Sequence, residues 1–235
     1  MNSTLTLISA LDLAIAFIPV AIVIAIMYLW SAGAATALYA TTRMLVQLLL
    51  IGYVLVFIFE TDDALVVAGV LVLMLSIASW IAIRPVRNKN ARTYLHSLLA
   101  IGVGGGFTLA LVSQAVVGVE PWFSPQYVVP LAGMIFAGAM NAVSLAAERM
   151  QSELDKPAEF NAARRVAFQA ALIPITNSLL AVGLVALPGM MTGQILSGIS
   201  PLVAAKYQIV VMTMLFGASG IAAAIFLTMS KNRQN

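Results

Sequence analysis

Few side chains in this sequence could do chemistry, and their types narrow the options at once. His96 is the only histidine and there is no cysteine. One subunit therefore cannot build a His-based metal cage, a Ser-His-Asp set or a thiolate centre, and disulfides are excluded. The glycine-rich run Gly102-Val103-Gly104-Gly105-Gly106 has no following lysine. It is not a P-loop, so the chain holds no ATP-hydrolysing motif of its own. Gly102 and Gly106 share one helix face, a spacing that suits close helix packing. A retinal-type reading needs a lysine deep in the last apolar run, and Lys206 stands at the start of that run. No catalytic residue is assigned, and the chain is expected not to be an enzyme.

What remains is a set of polar groups inside apolar runs. Arg43 and Gln47 lie four apart, on one helix face. An ionisable residue in such a run marks a functional site by default, although an arginine near the run's end can also snorkel to water. Pro174 removes a backbone donor and frees the carbonyl of Ala170, with Asn177 and Ser178 close behind. Broken helices with small polar groups often line a pathway. Met190 and Met191 belong to a set of 12 methionines, which serve either as soft metal ligands or as adaptable packing. Glu60, Asp62 and Asp63 form either an acidic mouth or a cap on the next helix.

These groups must be positioned by membrane helices. Of the 235 residues, 62% are hydrophobic and only 9% charged. A soluble domain carries roughly a quarter charged residues, so this composition fits lipid as solvent. The reading is one all-α polytopic unit over residues 1–235, with about seven spans. They run over Leu11–Trp30, Leu38–Phe59, Ala64–Ile83, Tyr94–Val117, Tyr127–Ala147, Val166–Leu187 and Pro201–Met229, the last helix starting either there or nearer Tyr207. No cleavable signal peptide is evident, and the net charge of +3 is too small and scattered for nucleic acid.

Arg84, Arg87, Lys89 and Arg92 fill the loop after the third span, whereas Glu60, Asp62 and Asp63 fill the one before it. The basic loop belongs in the cytosol, which puts the N-terminus outside and the C-terminus inside. Residues 148–165 hold eight of the chain's 12 basic and 9 acidic side chains. Asp155-Lys156-Pro157 reads as the start of a short cytosolic helix, with an acidic cap and proline in the first turn. That segment is either a lever for a soluble partner or an ordinary amphipathic connector.

Several stretches resemble the permease subunit of the FetB-type ABC transporters, a family linked to iron export in bacteria and to aluminium tolerance in plants. They are Arg43-Met44-Leu45-Val46-Gln47, Pro130-Leu131-Ala132-Gly133-Met134-Ile135, Ala170-Ala171-Leu172-Ile173-Pro174, the run from Val182 to Gly193, and Lys206-Tyr207-Gln208-Ile209. The resemblance implies a permease dimer in the inner membrane, driven by two copies of an ATP-binding cassette subunit that bind ATP and Mg. It implies that the segment with Glu153, Asp155, Glu159, Arg164 and Arg165 is a coupling helix, the arginines meeting acidic groups on the partner. The exported cargo would be a metal ion, iron first. Arg43, Gln47, Asn141, Pro174, Asn177, Met190 and Met191 are the candidates for the pathway. Where the family carries Asp and Lys, this chain has Asn177 and Leu180, which share a face and weaken the metal reading. A permease for a non-metal solute, or an ATP-independent channel or structural membrane protein, are the alternatives.

The orientation is testable directly, because the chain has no native cysteine. A single cysteine at Asn88 should resist an impermeant thiol reagent in intact cells and react after permeabilisation. Labelling from outside would reverse the topology.

Overall fold

A helix satisfies its own backbone N–H and C=O groups, so apolar runs of about twenty residues cross lipid as helices. The computed structural model describes residues 8–87, 89–155 and 159–233, and every regular element in them is helical. Asn88 and the Lys156-Pro157 pair lie outside the described residues. Among these residues six segments are long and apolar enough to span a bilayer: Ala10–Leu29, Ala34–Phe59, Ala64–Ala82, Ala91–Val117, Pro125–Leu154 and Pro201–Met229. The protein is a multi-pass membrane protein. The chain divides into two compact units, one up to Glu60 and one from Thr61 onward.

The first unit holds α1 (Ala10–Ala16), α2 (Ile18–Leu29) and α3 (Ala34–Phe59). Asp12, the one acid in its first apolar run, is explained by the start of α1. Its carboxylate accepts from the Ser9 N–H at 3.0 Å and hydroxyl at 2.7 Å, while Ser9 Oγ accepts from the Asp12 N–H. This reciprocal cap satisfies backbone donors that the helix itself leaves open. The step at Phe17 precedes Pro19, which cannot donate to the preceding turn. Left-handed Ser31 and Gly33 turn the chain into α3. Its 26 residues extend ~39 Å, longer than the hydrocarbon core. No residue of α1 or α2 is buried. Their apolar side chains are left at the surface of this unit.

The second unit holds α4 (Ala64–Ala82), α5 (Ala91–Ala110, continued by a π-helical turn, Leu111–Val117), α6 (Pro125–Leu154), α7 (Phe160–Ala181), α8 (Gly189–Leu196) and α9 (Pro201–Met229). Asp63 caps α4 by accepting from the Leu65 N–H at 2.8 Å, so the capping role of this acid is realised. Asn90 caps α5 in the same way through Thr93. Inside the apolar core, Ser97 Oγ donates to the Ser79 carbonyl at 3.1 Å and ties α5 to α4.

The central pair is α6 and α9, and small side chains set their spacing. Ala142 and Ala146 of α6, Ala163, Ala167 and Ala171 of α7, and Ala223 of α9 form one buried cluster with Met150 and Leu227. Alanines four apart give each helix a flat stripe, which lets backbones approach closely. The tightest approach is at Gly104, where an added Cβ would lie 2.8 Å from the Ala222 backbone nitrogen. At Gly105 it would lie 2.9 Å from the Phe136 ring. This corrects the expected packing pair. Gly106 has open space, and Gly102 meets only the flexible Leu75 side chain.

Three boundaries also differ from expectation. The last span starts at Pro201, capped by Ser200, and not near Tyr207. α7 stops at Ala181, because left-handed Gly183 turns back and donates to the Ala186 carbonyl at 2.9 Å. Asp155 closes α6 rather than opening a new helix. The described part of the charged segment is thus the end of α6 and the start of α7, with no separate short helix. α7 carries Asn161, Arg164, Arg165, Gln169 and Asn177 in its 22 residues and is not among the six apolar segments.

Gly104→Leu should therefore lower folded yield and melting temperature, overpacking α5 against α9 at a cost of about 2 kcal/mol or more. Gly106→Leu, which points into open space, should melt like the parent protein. Paired thermal melts in detergent check this, and equal damage in both variants would refute the packing assignment.

Candidate translocation seam between α7 and α9

Because alanines line one face of α7, the neighbouring face is left incompletely filled where it passes α9. Three clefts follow one another along that seam. The middle one, about 180 Å³, lies among Asn141 and Gly138 of α6, Pro174 and Ser178 of α7, and Ser219 of α9. Pro174 has no N–H for the Ala170 carbonyl, so the backbone ladder is interrupted beside the groove. Ser178 Oγ turns back to the Pro174 carbonyl at 3.0 Å. Gly138 keeps the groove open, since a Cβ there would come 3.3 Å from Ser219 Oγ. A carboxamide and two hydroxyls can replace part of the hydration shell of a small polar solute.

The second cleft, about 320 Å³, lies beyond the end of α7 and includes Met191 of α8 with Gln208, Met212 and Thr213 of α9. Gln208 is 5% exposed, and its Oε1 has no hydrogen-bond partner. A buried acceptor without a donor is costly and usually has a purpose. Thr213 spends its hydroxyl on the Ile209 and Val210 carbonyls. The third cleft, about 460 Å³, is at the opposite end of the seam. Asn161, Arg164, Arg165 and Phe168 follow the i, i+3, i+4, i+7 pattern of one helix face. They face Ala224, Leu227 and Thr228 of α9.

The structure thus brings Asn141 and Pro174 into one groove and places Met191 in the next. Asn177 and Leu180 are exposed on α7 and line none of these three clefts. Met190 is 40% exposed and also lies outside them. Arg43, half-buried, and Gln47, exposed, sit on α3 in the first unit. Gln208 and Ser219 are the additions. Both are polar residues in an apolar span, which was the available signal, and Gln208 falls inside the distinctive Lys206-Tyr207-Gln208-Ile209 stretch.

The charged segment is partly braced. Arg149 pairs with Glu153 at 2.9 Å within α6. Arg87 pairs with Asp155 at 3.1 Å, and its N–H donates to Gln151 Oε1 at 3.2 Å. The loop between α4 and α5 is therefore fastened to the end of α6. Glu159, exposed, accepts from the Asn161 amide at 3.4 Å. Among the described residues no group of three His, Cys, Asp or Glu side chains converges.

Comparison with known proteins places this architecture. The pattern of the uncharacterised protein family UPF0014 matches residues 10–234. The chain is 36% identical over 221 residues to the probable iron export permease protein FetB of Escherichia coli, covering 86% of this chain and 80% of that protein. It is 36% identical over 190 residues to the UPF0014 membrane protein slr1647 of Synechocystis, covering 74% and 73% respectively. It is 31% identical over 202 residues to the protein ALUMINUM SENSITIVE 3 of Arabidopsis thaliana, covering 79% and 72%. No solved structure matches. With nearly its whole length matched and its helices built for lipid, this chain belongs to the UPF0014 family of membrane proteins, which includes permease FetB.

Proposed function

We propose that this chain is the membrane-spanning subunit of an ABC exporter in the bacterial inner membrane, working as a homodimer with a separate ATP-binding cassette subunit. The observation that carries this reading is the α7–α9 seam: polar groups strung along α7 and the membrane-spanning α9, next to a proline that interrupts α7. The grooves open to the surface of a single chain, so a second copy would supply the missing wall. Asn141, Pro174, Ser178, Met191 and Gln208 would line the path. The relative named as an iron export permease supports a metal ion, iron first, as cargo.

A second reading, a non-metal solute, is favoured by the lining itself. Among the described residues no carboxylate or imidazole lines these three clefts, and the charges at one end are Arg164 and Arg165. Hard cations prefer carboxylate and carbonyl oxygen, so a cation would here rely on amides, hydroxyls and thioethers.

The end of α6 and the start of α7 would dock on the ATP-binding subunit, which supplies ATP and Mg. The acids there are Glu153, Asp155 and Glu159. The bracing of Asp155 to Arg87 would pass a push at this segment to the α4–α5 loop as well. The orientation that follows has the N-terminus outside and this segment in the cytosol.

Two outcomes are expected. The purified chain should release no phosphate from ATP, whereas the complex with the ATP-binding subunit should. Asp155→Lys with Glu159→Lys should cut the complex's hydrolysis about tenfold, about 1.4 kcal/mol, with an unchanged melting temperature. Full activity in that variant would remove this segment as the docking element. For cargo, ferrous iron should stimulate hydrolysis by the reconstituted complex, and Gln208→Leu should weaken that stimulation. Stimulation by a neutral or anionic solute and none by any metal would decide for the second reading.

A further inference from the structure

The cleft with Arg164 and Arg165 has a chemistry unlike the rest of the seam. Two guanidiniums stand on one face of α7, one residue apart, above an apolar wall of Phe168, Ala224 and Leu227. Arg87 and Arg149 at this end are paired, with Asp155 and Glu153, and the exposed Arg84 and Arg92 line none of the three clefts. Arg164 and Arg165 have no acidic partner among the described residues, although Arg164 is half-buried. Arg165 is exposed at the rim beside it, and two neighbouring like charges in one cleft suit an anion, since guanidinium takes phosphate oxygens through paired N–H bonds. The cleft is polar at its helix-end rim and apolar toward the middle of α7 and α9. Free phosphate would satisfy only the rim. A phospholipid satisfies both parts, its phosphate on the arginines and the upper part of an acyl chain on Phe168 and Ala224.

We propose that this cleft between α7 and α9 binds the headgroup phosphate of an anionic phospholipid. Basic pockets between membrane helices are suited to such headgroups. The assignment leaves the acids Glu153, Asp155 and Glu159 to a soluble partner and takes the arginine pair away from it. It depends neither on the identity of the cargo nor on an ATP-binding subunit.

The test reconstitutes the full chain in phosphatidylcholine nanodiscs with and without phosphatidylglycerol, then reads retained lipid by native mass spectrometry and melting temperature. Wild type should retain phosphatidylglycerol and melt higher with it. Arg164→Gln with Arg165→Gln should bind it about thirtyfold more weakly, which is about 2 kcal/mol. Arg84→Gln with Arg92→Gln removes the same charge outside the cleft and should bind like wild type. Ala224→Trp keeps both arginines on an exposed position of α9 and fills the cleft. It should lose the lipid too, which keeps the test decisive if the glutamine pair does not fold. Equal weakening by the two glutamine pairs would overturn the site, as would undiminished binding in Ala224→Trp. Equal stabilisation by inorganic phosphate alone would show an anion site without a lipid. Retained lipid with lost co-purification of an ATP-binding subunit in Arg164→Gln/Arg165→Gln would give the arginines to the partner. Either result overturns the proposal.

Discussion

The distance between α6, α7 and α9 is held by side chains of one carbon, and most of what is distinctive in the second unit follows from that distance. Lipid tails are as apolar as leucine, so membrane helices gain little from merely burying leucine against one another. They gain from contact, and contact is densest where Ala142, Ala146, Ala163, Ala167, Ala171 and Ala223 let the backbones close in. Gly104 against Ala222 repeats the device between α5 and α9. The same smallness leaves the adjacent strip of α7 unfilled. Packing stripe and clefts are thus two consequences of one choice of residue.

Polar groups inside this unit divide according to whether their hydrogen bonds are closed. Ser79, Ser97 and Thr108 return their hydroxyls to backbone carbonyls and act as cross-links or local braces. Gln208 does not, and its acceptor is held open beside Met191 and Met212. The contrast separates groups that brace the fold from acceptors left open, Gln208 Oε1 and, on α8, Gln194 Oε1. At the other end the charges are sorted in a similar way, with Arg87 and Arg149 engaged and Arg164 and Arg165 left facing a cleft.

Much of this was readable in the sequence. Apolar runs located the spans, Asp63 was recognisable as a cap, and Pro174 with Asn141 pointed to the groove. The misreadings have a common cause. In a soluble helix the apolar face names the buried face, but in lipid both faces are apolar. Spacing alone therefore could not tell the Gly102–Gly106 face from the residues Gly104 and Gly105 that make the close approaches. Asp155 carried a helix-start pattern, yet α6 continued far enough to make it an end. The clefts were beyond reach for another reason. They arise from how α7 lies along α9, and residues of different helices, far apart in the chain, share them.

Pro174 also sets a lever. It stands ten residues from Arg164, ~15 Å along the helix, and no ladder hydrogen bond to Ala170 resists bending there. A rotation of ten degrees about that point moves the arginine turn by about 2.6 Å, roughly half a helical pitch, while the segment beyond Pro174 stays in place. A push that slides the Ala163 and Ala167 stripe along its neighbours would therefore change the angle at the middle groove, which Asn141 of α6 and Ser178 of α7 both line.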